Sequence, residues 1–393
     1  MIVRIFFLFV ALLSMPANAK TVAILNGQLP TGPDHGDAVT IIITDGRITS
    51  LATDRPVPED AMVIDAEGRM ITAPLFAAAT QIGLIQLGGS SSEDDSAAGS
   101  SALGPEFDPS LSFDPNALAV QLARANGVGR AMVYPGGAPD LFAGMGFLID
   151  LNADGAEVTR PRSALFAMGT SARDAAGGSR AAAWAQLRAR LQDGGQDGAI
   201  AEVRNGKVPI VLQVEDTVDI DRAISLQREF GLNVVIMGGA EAWRRAEQLA
   251  QADIAVVLDP LDDLPFYYTM VGARDDNAAI LAAAGVRIAF SVSAQGIYRS
   301  WTVASASRLG AGVAVRNGLP YGAALAAITE NPAAIWGVEG EAGLQIGNAA
   351  DLVIWDGDPL EPSTAPWMIL SGGEMLSREN RQILLRDRYL KRD

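Results

Sequence analysis

Four apolar runs constrain what the second half of this chain can fold into. They cover Val208–Val214, Asn233–Met237, Ala255–Leu258 and Val286–Val292. Their starts are 25, 22 and 31 residues apart, the length of a strand-loop-helix-loop unit. Each run is almost wholly apolar, as a parallel strand covered on both faces must be. The intervening segments carry helical spacing. In Asp219–Phe230 the apolar residues Ile220, Ala223, Ile224 and Leu226 share one face, and Gly231 supplies a C-terminal stop. Residues 241–251, 277–284 and 301–315 behave likewise. An earlier run, Arg130–Tyr134, extends the alternation back toward Pro115. Repeated βα units over about 220 residues predict an α/β fold, a (β/α)8 TIM-like barrel. A doubly wound sheet is the alternative, but no G-x-G-x-x-G opens a helix after a strand here.

Both ends of the chain read differently. Thr21–Leu25, Val39–Thr44 and Met62–Asp65 are rich in β-branched residues, and Asp45-Gly46 is a type I′ hairpin signal because both turn positions need positive φ. After residue 340 the texture returns to β, with Asp351–Trp355, Met368–Leu370 and Glu374–Leu376. This predicts a small β-sandwich built from both termini, residues 20–72 plus 340–393, with the barrel of residues 73–339 inserted between its halves. Gly88–Ser112, rich in Gly, Ser and Asp, reads as a long loop whose Glu93-Asp94-Asp95 cluster is a solvated face, or else a cation site.

The first 19 residues carry a different message. Arg4 precedes the unbroken apolar run Ile5–Leu13, and Ala17-Asn18-Ala19 offers a small-x-small cleavage site. That order predicts a cleavable signal peptide, too short to span a bilayer, and hence a periplasmic or secreted protein without a membrane anchor. The absence of cysteine excludes a disulfide framework. A net charge of −16 repels phosphate backbones and makes nucleic acid an unlikely partner.

Two stretches resemble the amidohydrolase superfamily. Val63–Phe76 (VIDAEGRMITAPLF) looks like the crossing from the small domain into the first barrel strand. Ala323–Ala333 (AALAAITENPA), followed by Gly343–Pro359 (GLQIGNAADLVIWDGDP), resembles the family's C-terminal signature over some 35 residues. The middle of the chain is similar to a periplasmic, imidazolonepropionase-like branch of metal-dependent hydrolases. The resemblance implies hydrolysis of non-peptide C–N bonds, with zinc or another divalent metal held at the C-terminal mouth of the barrel by histidines and an aspartate. The metal lowers the pKa of its bound water and so supplies the nucleophile.

The chain departs from that pattern wherever it can be aligned. Ala79-Thr80-Gln81 stands in place of His-x-His, Ala77 in place of the preceding Asp, Gln213 and Gly238 near the two middle-strand histidines, and Ser293 near the last-strand Asp. Its single histidine, His35, precedes the barrel in a turn. One imidazole is not a zinc site, so no metal or other cofactor is expected.

Three functional readings follow. In the first, the chain is a catalytically degenerate homologue that binds a ligand or a partner, including a second copy or an active homologue. The replacements Ala79, Gln81, Gln213, Gly238 and Ser293 are small or neutral and bury no unpaired charge. In the second, it is a hydrolase by another route, with catalytic carboxylates drawn from Glu215, Asp216, Glu241 and Asp259. Each of these has a plainer role as a helix-terminal or ion-paired charge. Ser291 or Ser293 as a nucleophile lacks an activating histidine. In the third, it is a periplasmic binding protein that holds a small polar molecule with Gln81, Tyr134, Gln213, Ser293 and Gln295. Pro265-Phe266-Tyr267-Tyr268 reads as a loop packed on the core, or else as an aromatic pocket wall.

Overall fold

The computed structural model describes residues 20–30, 38–53, 55–85, 94–99, 103–137, 139–152, 155–169, 172–195, 197–262, 264–265, 267–291, 302–338, 340 and 343–390. The chain begins with β1 (Thr21–Gln28), β2 (Ala38–Thr44), β3 (Arg47–Ala52) and β4 (Met62–Asp65), which form one sheet in the order β3-β2-β1-β4. The β2–β3 hairpin turns on Asp45 and Gly46, with φ of 49° and 75°, and pairs Thr44 with Arg47. The dipeptide therefore does what its sequence predicts.

A second small sheet joins the two ends of the chain. It contains β5 (Ile71–Thr72) and three strands near the C-terminus, β14 (Leu352–Trp355), β15 (Pro366–Ser371) and β16 (Glu374–Met375), in the order β16-β15-β14-β5. Ile24, Ile41 and Ile48 from the first sheet share a core with Ile71, Leu352, Ile354 and Leu370 from the second. Trp355, fully buried at the end of β14, donates its indole N–H to Thr72 Oγ1 at 2.8 Å.

In chain order, an eight-stranded sheet follows β5 and precedes the C-terminal strands. It comprises β6 (Leu75–Thr80), β7 (Val128–Val133), β8 (Phe142–Asn152), β9 (Gly155–Ala167), β10 (Ile210–Val214), β11 (Val234–Gly238), β12 (Ala255–Leu258) and β13 (Ile288–Phe290), hydrogen-bonded in chain order. Period-two alternation sorts the barrel residues. Phe76, Met132, Phe166, Val211, Val235, Val257 and Ala289 point inward, whereas their neighbours Leu75, Val133, Leu165, Leu212, Ile236, Val256 and Phe290 join the outer core.

The helices cover the outside. They are α1 (Leu118–Ala125), α2 (Ala172–Ala175), α3 (Arg180–Asp193), α4 (Ala199–Arg204), α5 (Thr217–Phe230), α6 (Ala246–Gln251), α7 (Asn277–Ala283), α8 (Val303–Arg316), α9 (Tyr321–Ala326), α10 (Glu330–Ile335) and the terminal α11 (Arg381–Leu390). Helix α5 ends at Gly231 in the left-handed conformation, as its sequence predicts.

The TIM-like barrel expected from the sequence is present, with one local departure: β8 runs antiparallel to both β7 and β9, so a hairpin stands in for one βα unit. The chain reverses between positions 152 and 155, where a crossover helix would need more residues. One expectation needs correction: the loop after β12 is not packed on the core. Tyr267 is exposed, and Tyr268 is 92% exposed. Position 266 lies outside the described residues.

The first and last barrel strands approach each other, but no ladder joins them among the described residues. The seam is closed by the short segment Ala327–Trp336. Phe76 N–H donates to the Ile328 carbonyl at 2.8 Å, and Phe290 N–H donates to the Ala327 carbonyl at 2.9 Å. Asn331 Nδ2 donates to the Ile288 carbonyl at 2.8 Å, and Trp336 Nε1 to the Ala78 carbonyl at 3.0 Å. These bonds satisfy strand-edge groups that would otherwise be buried without partners.

Removing one partner from this seam leaves a carbonyl unpaired. Trp336→Phe and Asn331→Ala are each expected to cost about 1–3 kcal/mol in urea unfolding. The pair is expected to be non-additive, since both act on one closure. An additive pair of small losses would show that the seam is held elsewhere.

Candidate functional site

The C-terminal ends of the parallel barrel strands form the mouth, and alternation decides which side chains enter it. On β10 the inward series is Val211, Gln213 and then Glu215. Gln213 lies opposite Met237 across the β10–β11 ladder, and Val214 opposite Gly238. A Cβ on Gly169, just after β9, would lie 2.5 Å from Gln213 Oε1, so the glycine makes space for the amide. Ala79 is fully buried in the interior cluster, and Gln81 is buried next to it. Gln81 Nε2 and Ser96 Oγ both lie against the backbone of Gly136. Tyr134, at the end of β7, stacks on Phe166 with ring centroids 5.4 Å apart, and burial pushes its phenol up to about 12.

Glu215 dominates the electrostatics of the mouth. Its Oε2 accepts the Ala240 N–H at 3.0 Å. Burial drives its carboxyl up from 4.5 to about 7, against the backbone bonds from Ala240 and Gly239; the charges of Asp262 and Asp216 push the same way as burial. The carboxylate occupies the space above Gly238. That glycine has φ of 99°, and a Cβ built there would lie 2.3 Å from Glu215 Oε1. The position aligned with a family histidine is therefore filled by a neighbouring strand's carboxyl group.

The other predicted carboxylates have local structural work. Asp216 caps α5 by accepting the Asp219 N–H at 2.9 Å, and it pairs with Arg180 at 2.5 Å. Glu241 accepts the Thr217 N–H at 3.2 Å. Asp259 Oδ1 accepts the Leu261 N–H at 2.9 Å. The structure thus brings Glu215 and Gly238 together, with Glu241 next to them through its N–H bond to the Glu215 carbonyl, 2.9 Å. Ser291 follows β13, its N–H bonded to the Leu258 carbonyl. Ser293, Gln295 and His35 lie outside the described residues.

Two neighbours were not singled out from the sequence. Asp262, beside Glu215 in its effect, sits in a run of loop acids that carries no spacing signal. Asn277, buried at the start of α7, donates to the Gly239 carbonyl at 3.0 Å, and its Oδ1 has no partner among the described residues. Its only sequence signal is a polar residue opening an apolar helix.

Family zinc chemistry needs several imidazoles, and this chain has one histidine in all, before the barrel. Among the described residues, no group of three or more His, Asp or Glu is placed to hold a metal ion. The donors at the mouth, two amides, a phenol and a carboxyl held near neutrality, do not fit the family's metal.

A cavity of about 40 Å³ lies at the opposite end of the barrel, lined by Pro74, Gly129, Arg130, Asp150 and Ser371 among others. Strand starts at that end serve stability in barrels of this kind.

With this geometry in hand, comparison with known proteins is informative. Residues 214–376 match the amidohydrolase family. An amidohydrolase from Thermotoga maritima MSB8 superposes with a TM-score of 0.79 at 22% identity, over 91% of this chain and 100% of that one. N-isopropylammelide isopropylaminohydrolase from Burkholderia multivorans gives a TM-score of 0.55 at 15% identity, over 91% and 98%. 5-Methylcytosine deaminase from Klebsiella pneumoniae gives 0.58 at 13%, again over 91% and 98%. No curated protein matches the sequence. The chain shares the fold of these proteins, and residues 214–376 match the amidohydrolase family.

Two outcomes follow from Glu215. Because its folded pKa is raised, the stability linked to it is fully present below about 4.5 and is lost as pH rises through about 7. Urea unfolding across this range is expected to show that loss, and Glu215→Gln is expected to flatten it. Gly238→Ala is expected to cost about 1–3 kcal/mol through its positive φ and its clash. Glu215→Ala in the same chain is expected to return part of that cost.

Proposed function

We propose that this chain is an exported protein of amidohydrolase fold whose barrel mouth binds a small polar ligand without the family's metal, and that it lacks metal-dependent hydrolysis. The observation that carries this reading is the Glu215–Gly238 contact. A histidine at 238 has no space while Glu215 is in place, since even a Cβ would meet its carboxylate at 2.3 Å. Elsewhere at the barrel's C-terminal end, Gln81, Gln213 and Tyr134 supply neutral hydrogen-bonding groups beside apolar side chains, the usual make-up of a small-molecule site. Ser293 and Gln295 extend the same set by sequence position.

Hydrolase-type function draws support from the family match and from fold relatives named as a deaminase and an isopropylaminohydrolase. One observation favours a second reading on this account. A carboxyl group held near 7 in a half-buried mouth can take and return a proton at neutral pH, so Glu215 can act as a general acid–base in metal-independent hydrolysis.

The two readings separate experimentally. Elemental analysis of untagged, chelator-free protein is expected to find metal far below one equivalent. Native mass spectrometry of the same material is expected to find a bound small molecule that Glu215→Gln or Gln213→Ala releases. Stoichiometric zinc, manganese or iron would overturn the metal-free site. Turnover of C–N substrates by metal-free protein, lost in Glu215→Gln, would establish the second reading over the first.

A further inference from the structure

The Glu215 carboxyl is held by backbone, and that backbone is held in turn by a side chain from another element. One peptide group, between Gly239 and Ala240, carries both ends of the connection. Its N–H donates to Glu215 Oε2 at 3.0 Å, and its carbonyl accepts from Asn277 Nδ2 at 3.0 Å. A peptide group is planar and rigid, so fixing its carbonyl fixes the direction of its N–H. The backbone here gives little direction of its own, because Gly238 and Gly239 follow one another with φ of 99° and 70°.

The loop has other bonds, to β10 and to itself. Gly239 N–H donates to the Val214 carbonyl at 2.7 Å, and Glu241 N–H to the Glu215 carbonyl at 2.9 Å. Ala242 N–H donates to the Gly239 carbonyl at 2.9 Å, which leaves that oxygen's second lone pair for Asn277. Asn277 opens α7 and is 6% exposed. Apart from Glu215, it makes the only side-chain bond to this peptide among the described residues. Its own Oδ1 has no partner among the described residues. A buried acceptor without a partner is a cost, so the contribution of this side chain lies in its donor.

Hydrogen bonds in series polarise one another: a donor at the carbonyl makes the N–H at the other end a better donor. A better donor favours the ionised carboxylate. The charged groups around Glu215 do not reproduce this effect. Asp216, capping α5, is paired with Arg180 of α3; its charge and that of Asp262, in the loop after β12, oppose ionisation. Glu241, after β11, accepts the Thr217 N–H and lies 3.9 Å from Arg244. Asp276, next to Asn277 in the chain, is paired with Arg274.

We propose that Asn277 is a positioning residue for Glu215: it holds the Gly239–Ala240 peptide so that the N–H stays on the carboxyl, and it thereby favours the carboxyl's ionised form. This role matters to function only if Glu215 is the working carboxyl of the mouth, as proposed above.

The test is carbon-13 NMR of the full mature chain labelled at the glutamate carboxyl carbons, with the Glu215 signal assigned by its loss in Glu215→Gln. Across about pH 4 to 9, Asn277→Ala and Asn277→Leu are each expected to raise the proton affinity of Glu215 by about twofold or more, seen as an upward shift of its midpoint. Asn277→Gln, which keeps an amide donor, is expected to restore part of the change. Loss of stability alone does not move a midpoint read within the folded state. In the unaltered chain, the nitrogen-15 signals of the Ala240 amide and the Asn277 side chain are expected to follow the Glu215 midpoint, so the outcome does not hang on a variant that folds. A midpoint unmoved by both substitutions, or an Asn277 side-chain signal that ignores the Glu215 titration, would overturn the proposal. A midpoint that rises in the variants of a chain with no bound ligand and no turnover supports the positioning role and removes the function proposed for the mouth. An unmoved midpoint in a chain whose ligand is released by Glu215→Gln does the reverse.

Discussion

The barrel depends on how its first and last strands are joined without pairing. A barrel removes exposed sheet edges only if it closes, and here β6 and β13 have no ladder between them among the described residues. Closure falls to ten residues, Ala327–Trp336, which lend two carbonyls, an amide and an indole to the two strands. The stretch that most resembles the family, ending Thr-Glu-Asn-Pro-Ala, is therefore structural. It lies within residues 214–376, which match the amidohydrolase family. The requirement to close the sheet does not depend on what the mouth holds.

The mouth follows from strand alternation and one displaced carboxylate. Alternation sends Gln213 and Glu215 inward from β10, and the open backbone at Gly238 lets Glu215 settle over β11. Burial then does to this acid what a metal would do in reverse: it disfavours the charged form, and neighbouring Asp262 adds to the effect. Asp216, Glu241 and Asp259 each meet a backbone N–H at a helix or turn start.

Much of this was legible in the sequence. The four apolar runs fall within one or two residues of β10 to β13, and Asp45-Gly46 forms its hairpin because both residues tolerate positive φ. The antiparallel β8 was not legible. Residues 142–167 alternate too irregularly to show a period, and a hairpin announces itself only through its turn. The exposure of Tyr268 was hidden for another reason: composition marks aromatics as core, whereas exposure depends on how far a loop projects. Of the proposed site, the strand-end positions could be read from motif spacing. The meeting of Glu215 with Gly238 could not, because it depends on which way a side chain on one strand leans over the next.

The same contact makes the order of changes matter. A chain with a free position 238 can gain or lose a side chain there in one step. Once the Glu215 carboxylate lies over the glycine, any larger residue at 238 meets it, and the positive φ penalises that residue again. Placing any larger side chain on β11 at 238 would require residue 215 to change first. A carboxylate at 215 and a side chain at 238 thus exclude each other, and a sequence passes between the two arrangements, in either direction, only through an intermediate that has neither.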